Sequence, residues 1–70
     1  MMPLAFADPG LDHTVKKING NAQMRQHLAD MGFVEGTPVT VVSRLNGSLI
    51  VNVKNARIAI GESMALKIMV

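Results

Sequence analysis

The chain contains no cysteine, tryptophan or tyrosine. Without cysteine there are no disulfides and no thiolate metal centres, which sets aside the small secreted domains that depend on such staples. A reducing, cytoplasmic setting is expected. The only aromatic residues are Phe6 and Phe33, so there is no platform on which nucleic-acid bases could stack, and a nucleic-acid-binding small barrel is disfavoured. No apolar run approaches the roughly 20 residues of a membrane helix. The opening Met1 to Ala7 lacks the cationic start of a signal peptide and is interrupted by Pro3 and Asp8. A soluble chain with no membrane insertion is expected. A strong charge of one sign is missing too: seven Lys and Arg against five Asp and Glu give a formal +2. Such a balance permits attraction to an acidic partner without calling for direct nucleic-acid contact.

What is present is aliphatic. Apolar residues make up 49% of 70 positions, enough for one compact core and one domain spanning residues 1–70. A chain this short buries only roughly 60% of the surface its unfolded form exposes, so its stability is thin.

Residues 1–12 read as a lead-in ending in the turn signal Asp8-Pro9-Gly10. A first strand is predicted over 13–19, although Val15 and Ile18 stand three apart, a spacing that a bulge would explain. Residues 21–31 predict a helix. Asn21 is its N-cap, and Met24, Leu28 and Met31 recur at i, i+4 and i+7 as one apolar stripe. Gly32 sits where a helix stops in a left-handed conformation, placing Phe33 to pack on Leu28. Strands follow at 38–44 and 48–54 around Asn46-Gly47, a type I′ turn pair. Asn55 supplies another turn before a strand over 57–60. Residues 61–64 predict a short helical turn, and Leu66 to Val70 a last strand. The order strand, helix, then four short strands indicates a small, mainly β, antiparallel barrel or sandwich.

At this point the sequence resembles the FeoA family. The likeness rests on Pro3-Leu4, Pro9-Gly10, the helix close Leu-x-Asp-Met-Gly-Phe at Leu28 to Phe33, and x-Glu-Gly-Thr-x-Val-x-Val at Val34 to Val41. It continues through Val51-x-Val53, Arg57 to Ile60, and the close Ala65 to Val70. It implies a five-stranded SH3-like antiparallel barrel with one short helix between strands one and two. It also implies a cytosolic accessory role in bacterial ferrous-iron uptake, with the FeoB transporter as partner. The sequence departs from the family pattern at Asn55, where glycine is frequent, and at Ile50, where polar residues are more usual. It also has a single helix arginine, Arg25, and no proline in the hairpin.

No chemistry of the chain's own is expected. Ser43, Ser48 and Ser63 lie in or beside turns, and no Gly-x-x-x-x-Gly-Lys-Ser/Thr loop is present for nucleotide phosphates. Asp12, His13, His27, Asp30 and Glu62 are the candidate metal ligands. Only His27 and Asp30 have spacing that shares a helix face, and a stable site needs three or four convergent ligands. No cofactor and no metal ligand is assigned. What remains is spare hydrophobicity. With Leu49, Val51 and Val53 facing inward, Ile50 faces out; by the same alternation one of Val41 and Val42 cannot share the inner face, and Met69 opposes Leu66, Ile68 and Val70. Val42, Ile50 and Met69, rimmed by Lys54, Arg57 and Lys67, form the candidate partner-binding patch, the alternative being that the helix or the N-terminal segment covers them as a second core layer. Such a patch serves a transporter contact, a regulatory module acting on an iron-dependent repressor, or self-association.

Overall fold

The computed structural model describes all 70 residues. A 3-10 turn at Leu4–Phe6 leads into strands β1 (Asp12–Thr14) and β2 (Lys17–Ile18), then helix α1 (Ala22–Asp30). Strands β3 (Pro38–Leu45), β4 (Ser48–Val53) and β5 (Ala56–Gly61) follow, then helix α2 (Glu62–Ala65) and strand β6 (Ile68–Met69). β1, β3, β4 and β5 form one four-stranded sheet in that order, while β2 and β6 pair separately, all antiparallel. No helix is long and apolar enough to cross a membrane.

The strand predicted over 13–19 is two strands. Val15 N–H donates to Thr37 C=O at 2.9 Å, and Lys16 N–H donates to Met69 C=O at 2.8 Å, so the chain changes sheet between neighbouring residues. That switch accounts for the three-residue spacing of Val15 and Ile18, each of which packs on the core from its own sheet. The SH3-like arrangement is therefore built from six short strands, four plus two, and no continuous ladder closes it.

Helix α1 keeps its predicted ends. Asn21 Oδ1 accepts from Met24 N–H at 2.8 Å, satisfying one of the free amides of the first turn. At the other end Gly32 takes φ +109°, Gly32 N–H donates to Ala29 C=O, and Phe33 N–H donates to Leu28 C=O. This pair of reversed bonds is a Schellman close, and it seals Phe33 and Leu28 into the core, both fully buried. Met24 and Met31 pack partly buried against that core.

Two type I′ turns set the register of β3–β4–β5. Asn46 and Gly47 (φ 48° and 80°) form the first, and Lys54 and Asn55 (φ 49° and 63°) the second. The burial of β4 then alternates, with Leu49, Val51 and Val53 inside. In β3 a register shift between Val41 and Ser43 leaves Val42 without a partner on β4.

Two expectations change at the termini. Leu66 is not an inward strand residue: its N–H donates to Glu62 C=O, which extends α2, and the side chain is 40% exposed. The final strand shortens to Ile68–Met69, although Ile68 and Val70 do face inward. The lead-in, for its part, belongs to the core. Leu4 and Ala7 are fully buried, and Met2 and Val70 exchange two main-chain hydrogen bonds at 2.9 and 2.8 Å.

Candidate functional site

The outward face of the four-stranded sheet carries three of the six predicted partner-binding residues, Val42, Ile50 and Arg57. Register places Asp12, Thr40, Asn52 and Arg57 in one row across β1, β3, β4 and β5. Thr40 Oγ1 donates to Asp12 Oδ1 at 3.0 Å, and Arg57 Nε donates to Asn52 Oδ1 at 3.3 Å, so both ends of the row are tied by hydrogen bonds. The neighbouring row is Ser43, Ile50 and Ala59, with Val42 beside Ser43 as the unpaired residue of the register shift. Val42 and Ile50 are half-buried, neither core nor free in solvent. A shallow hollow of about 700 Å³ opens near Pro38, Thr40, Asn52 and Lys54. Its walls offer hydroxyls, amides and one ammonium, with no carboxylate or imidazole to pair as acid or base.

The other members lie elsewhere. Lys54 stands on the β4–β5 turn with its Cγ and Cδ 3.6 and 3.7 Å from where a Cβ on Gly32 would sit, at the end of α1. Lys67 Cδ approaches Gly20 in the same way at 3.4 Å, near the start of α1. Met69 pairs with Lys17 in the two-stranded sheet and bridges to Pro3. The structure thus brings Val42, Ile50 and Arg57 onto one face, with Lys54 at its corner, and puts Met69 and Lys67 on the smaller sheet and its approach.

The ionisable side chains do not converge. No three His, Asp or Glu residues come together as a metal-binding group. Asp12 and His13 are neighbours on a strand and so point to opposite faces. Asp12 bonds to Thr40 on the outside, whereas His13 pairs with buried Val39 and its Nε2 is buried without a hydrogen-bond partner. Asp30 instead accepts from Gln26 Nε2 at 2.9 Å, one helical turn away.

Sequence reasoning missed Arg44. It pairs across the sheet with Leu49, which turns its side chain to the inner side, and its guanidinium reaches the carbonyls of Ala5 and Ala7. That grip holds the 3-10 turn against the β3–β4 hairpin and leaves Phe6 between its two anchors, 63% exposed. Leu45, 66% exposed, lines the same groove of about 210 Å³, along with Ala5, Leu49 and Glu62. Leu45 abuts the Asn46-Gly47 turn and Phe6 is one of two aromatics; those were the available signals.

A family model described as "FeoA domain" matches residues 2–70. The chain belongs to the FeoA family. A protein of Methanocaldococcus jannaschii named for Fe(2+) transport is 43% identical to this FeoA chain over 70 residues, covering 100% of it and 85% of the relative. A crystal structure of an iron uptake regulatory protein, FeoA, superposes with a TM-score of 0.88 at 33% identity, over 96% of this chain and 89% of that one. A manganese-dependent transcriptional repressor matches with a TM-score of 0.84 at 25% identity, over 94% of this chain but 38% of its own. The SH3-like arrangement of this FeoA domain is that of the solved FeoA structures.

Proposed function

We propose that this FeoA domain is an accessory protein of ferrous-iron uptake that acts by contact with the cytoplasmic part of a FeoB-type transporter, with no catalysis of its own. The observation that carries the reading is the 43% identity, across the whole chain, to a protein named for Fe(2+) transport. The outward sheet face supports contact as the mode of action. Ile50 and Val42 supply a small apolar centre, and Arg57 and Lys54 supply a cationic rim without a carboxylate in the same hairpin. Small apolar centres with a polar rim are the usual composition of a transient interface.

Co-purification with the transporter's cytoplasmic part tests the reading, using the wild-type chain and Ile50→Asp. Retention by the wild type and loss by the folded variant are expected. Retention by both would move the contact off this face, and retention by neither would remove the transporter as partner. Recovery of a transcriptional regulator from the same cytoplasm, in place of the transporter, would favour a regulatory module of the kind found in repressors.

A further inference from the structure

Strand β5 is an outer edge of the four-stranded sheet. Which of its main-chain groups are free follows from the hydrogen-bond phase. The two-residue turn Lys54–Asn55 makes Val53 and Ala56 the mutually bonded closing pair of the hairpin. Past the far end, Glu62 N–H donates to Gly47 C=O at 2.9 Å, in the same phase. Between these points Ile58 bonds to Val51 and Ile60 to Leu49, because bonded pairs alternate along an antiparallel ladder. The N–H and C=O groups of Arg57, Ala59 and Gly61 therefore point away from β4. The loop and turn hydrogen bonds use none of those of Arg57 and Ala59, and at Gly61, the N-cap of α2, the N–H is left over while the C=O accepts the first bond of that helix.

Edges of this kind are usually blunted by proline, a bulge or an inward charge. β5 has no proline, its register with β4 runs without a shift, and its central residue, Ala59, is small and exposed. Its only charge is Arg57. The flanking chemistry is cationic as far as Gly61, for no Asp or Glu occurs between Glu35 and Glu62 while Arg44, Lys54 and Arg57 do; Glu62, directly after Gly61, is the one acid at the far end. Arg44 is engaged by carbonyls at the other end of the hairpin. Arg57 is held at Nε by Asn52, which orients the guanidinium and leaves its terminal nitrogens to meet a carboxylate.

We propose that β5 takes up an extended, acidic segment of the partner as an added strand, bonded to the main chain of Arg57 and Ala59 and to the N–H of Gly61, with carboxylates meeting Arg57 and Lys54. The inference deepens the accessory reading and rests on it for the partner's identity. A second copy of the chain is the poorer occupant: antiparallel pairing of β5 with itself about Ala59 would set one acid, Glu62, near each Arg57 and none against Lys54.

The test uses the full isotope-labelled chain and two capped hexapeptides, Thr-Val-Glu-Val-Glu-Val and Thr-Val-Lys-Val-Lys-Val, followed by amide shifts and hydrogen exchange. With the acidic peptide, the amides of Arg57, Ala59 and Gly61 shift and their exchange slows by at least about tenfold, while the bonded amides of Ile58 and Ile60 change little. The lysine peptide binds more weakly. Arg57→Glu reverses the preference between the two peptides, and Ala59→Pro, which removes the central donor, abolishes binding. Because the proline variant is the one at risk of misfolding, the charge reversal decides the matter alone if needed. Equal affinity for both peptides, or protection that spares the three edge amides, overturns the proposal. So does protection that grows with chain concentration in the absence of peptide, which assigns the edge to a second copy. The transporter's cytoplasmic part, titrated separately, distinguishes the two readings. Binding that leaves the edge amides unprotected defeats strand addition and keeps the accessory role. Edge binding of the acidic peptide without binding of the transporter keeps strand addition and defeats the role.

Discussion

The guanidinium of Arg44 donates to the main-chain carbonyl of Ala5 twice, from Nε at 3.2 Å and from Nη2 at 2.8 Å, across 39 positions of sequence. The same Nη2 also donates to the carbonyl of Ala7. One side chain thereby fastens the N-terminal segment, with fully buried Leu4 and Ala7, to the β3–β4 hairpin.

Removing that clamp has a predictable cost. Arg44→Met keeps the apolar stem and deletes the donors, leaving part-buried carbonyls short of partners. A charged group bonded to a carbonyl contributes about 1.5–3 kcal/mol, and partial exposure places this one at the low end. The urea midpoint should fall with an unchanged slope. Lysine cannot reproduce the fork, so Arg44→Lys should recover only part of the loss.

The close of α1 makes a second prediction. Gly32 holds φ +109°, and a Cβ there would meet Lys54 and Val53 atoms at 3.6 Å or beyond, which is ordinary contact. Space is available and conformation is not. Gly32→Ala should therefore cost about 1–2 kcal/mol through backbone strain alone. Gly32→Asn should cost less, because asparagine tolerates left-handed backbone. Equal losses for the two variants, measured by thermal melting, would place the cost in packing instead.

These two sites mark the boundary of what the sequence could reveal. Asn21, Gly32, Asn46-Gly47 and the alternation of β4 act between near neighbours, so each was legible as a spacing. Leu4, Ala7 and Arg44 act across the fold, and nothing local distinguishes them from a lead-in and a solvated arginine. The candidate site divides in the same way. Ile50 and Arg57 share a face through the two-residue period of a hairpin. Met69 and Lys67 were assigned to that face by the same period, but the chain's change of sheet between Val15 and Lys16 places the C-terminus in a different ladder.

The two phenylalanines should behave oppositely. Phe33 is fully buried behind the Schellman close, and truncation to alanine in a core costs about 3–5 kcal/mol. A core of this size rarely supplies more than about 3–5 kcal/mol net, so Phe33→Ala should be largely unfolded at room temperature. Phe6 is 63% exposed, and Phe6→Ala should stay within about 0.5 kcal/mol of the wild type. Circular dichroism on the two variants side by side is sufficient. A folded Phe33→Ala would mean that Leu4, Leu28 and Ile68 form a sufficient core without the ring.

His13 supplies the last prediction, and its sign is opposite to that of most core substitutions. The residue pairs with Val39 on the inner side of β1, and Nε2 is buried with no hydrogen-bond partner. An unpaired polar atom inside a fold costs about 1–3 kcal/mol relative to an apolar group of similar shape. His13→Leu removes the orphan nitrogen and leaves the main-chain bonds of β1 untouched. The urea midpoint should therefore rise, by an amount equivalent to about 1 kcal/mol once the mismatch in shape is deducted. His13→Asn, which keeps a polar group in a smaller volume, should lower it. A fall for the leucine variant would mean that the nitrogen is satisfied in solution, and the inner side of β1 would then have to be wet.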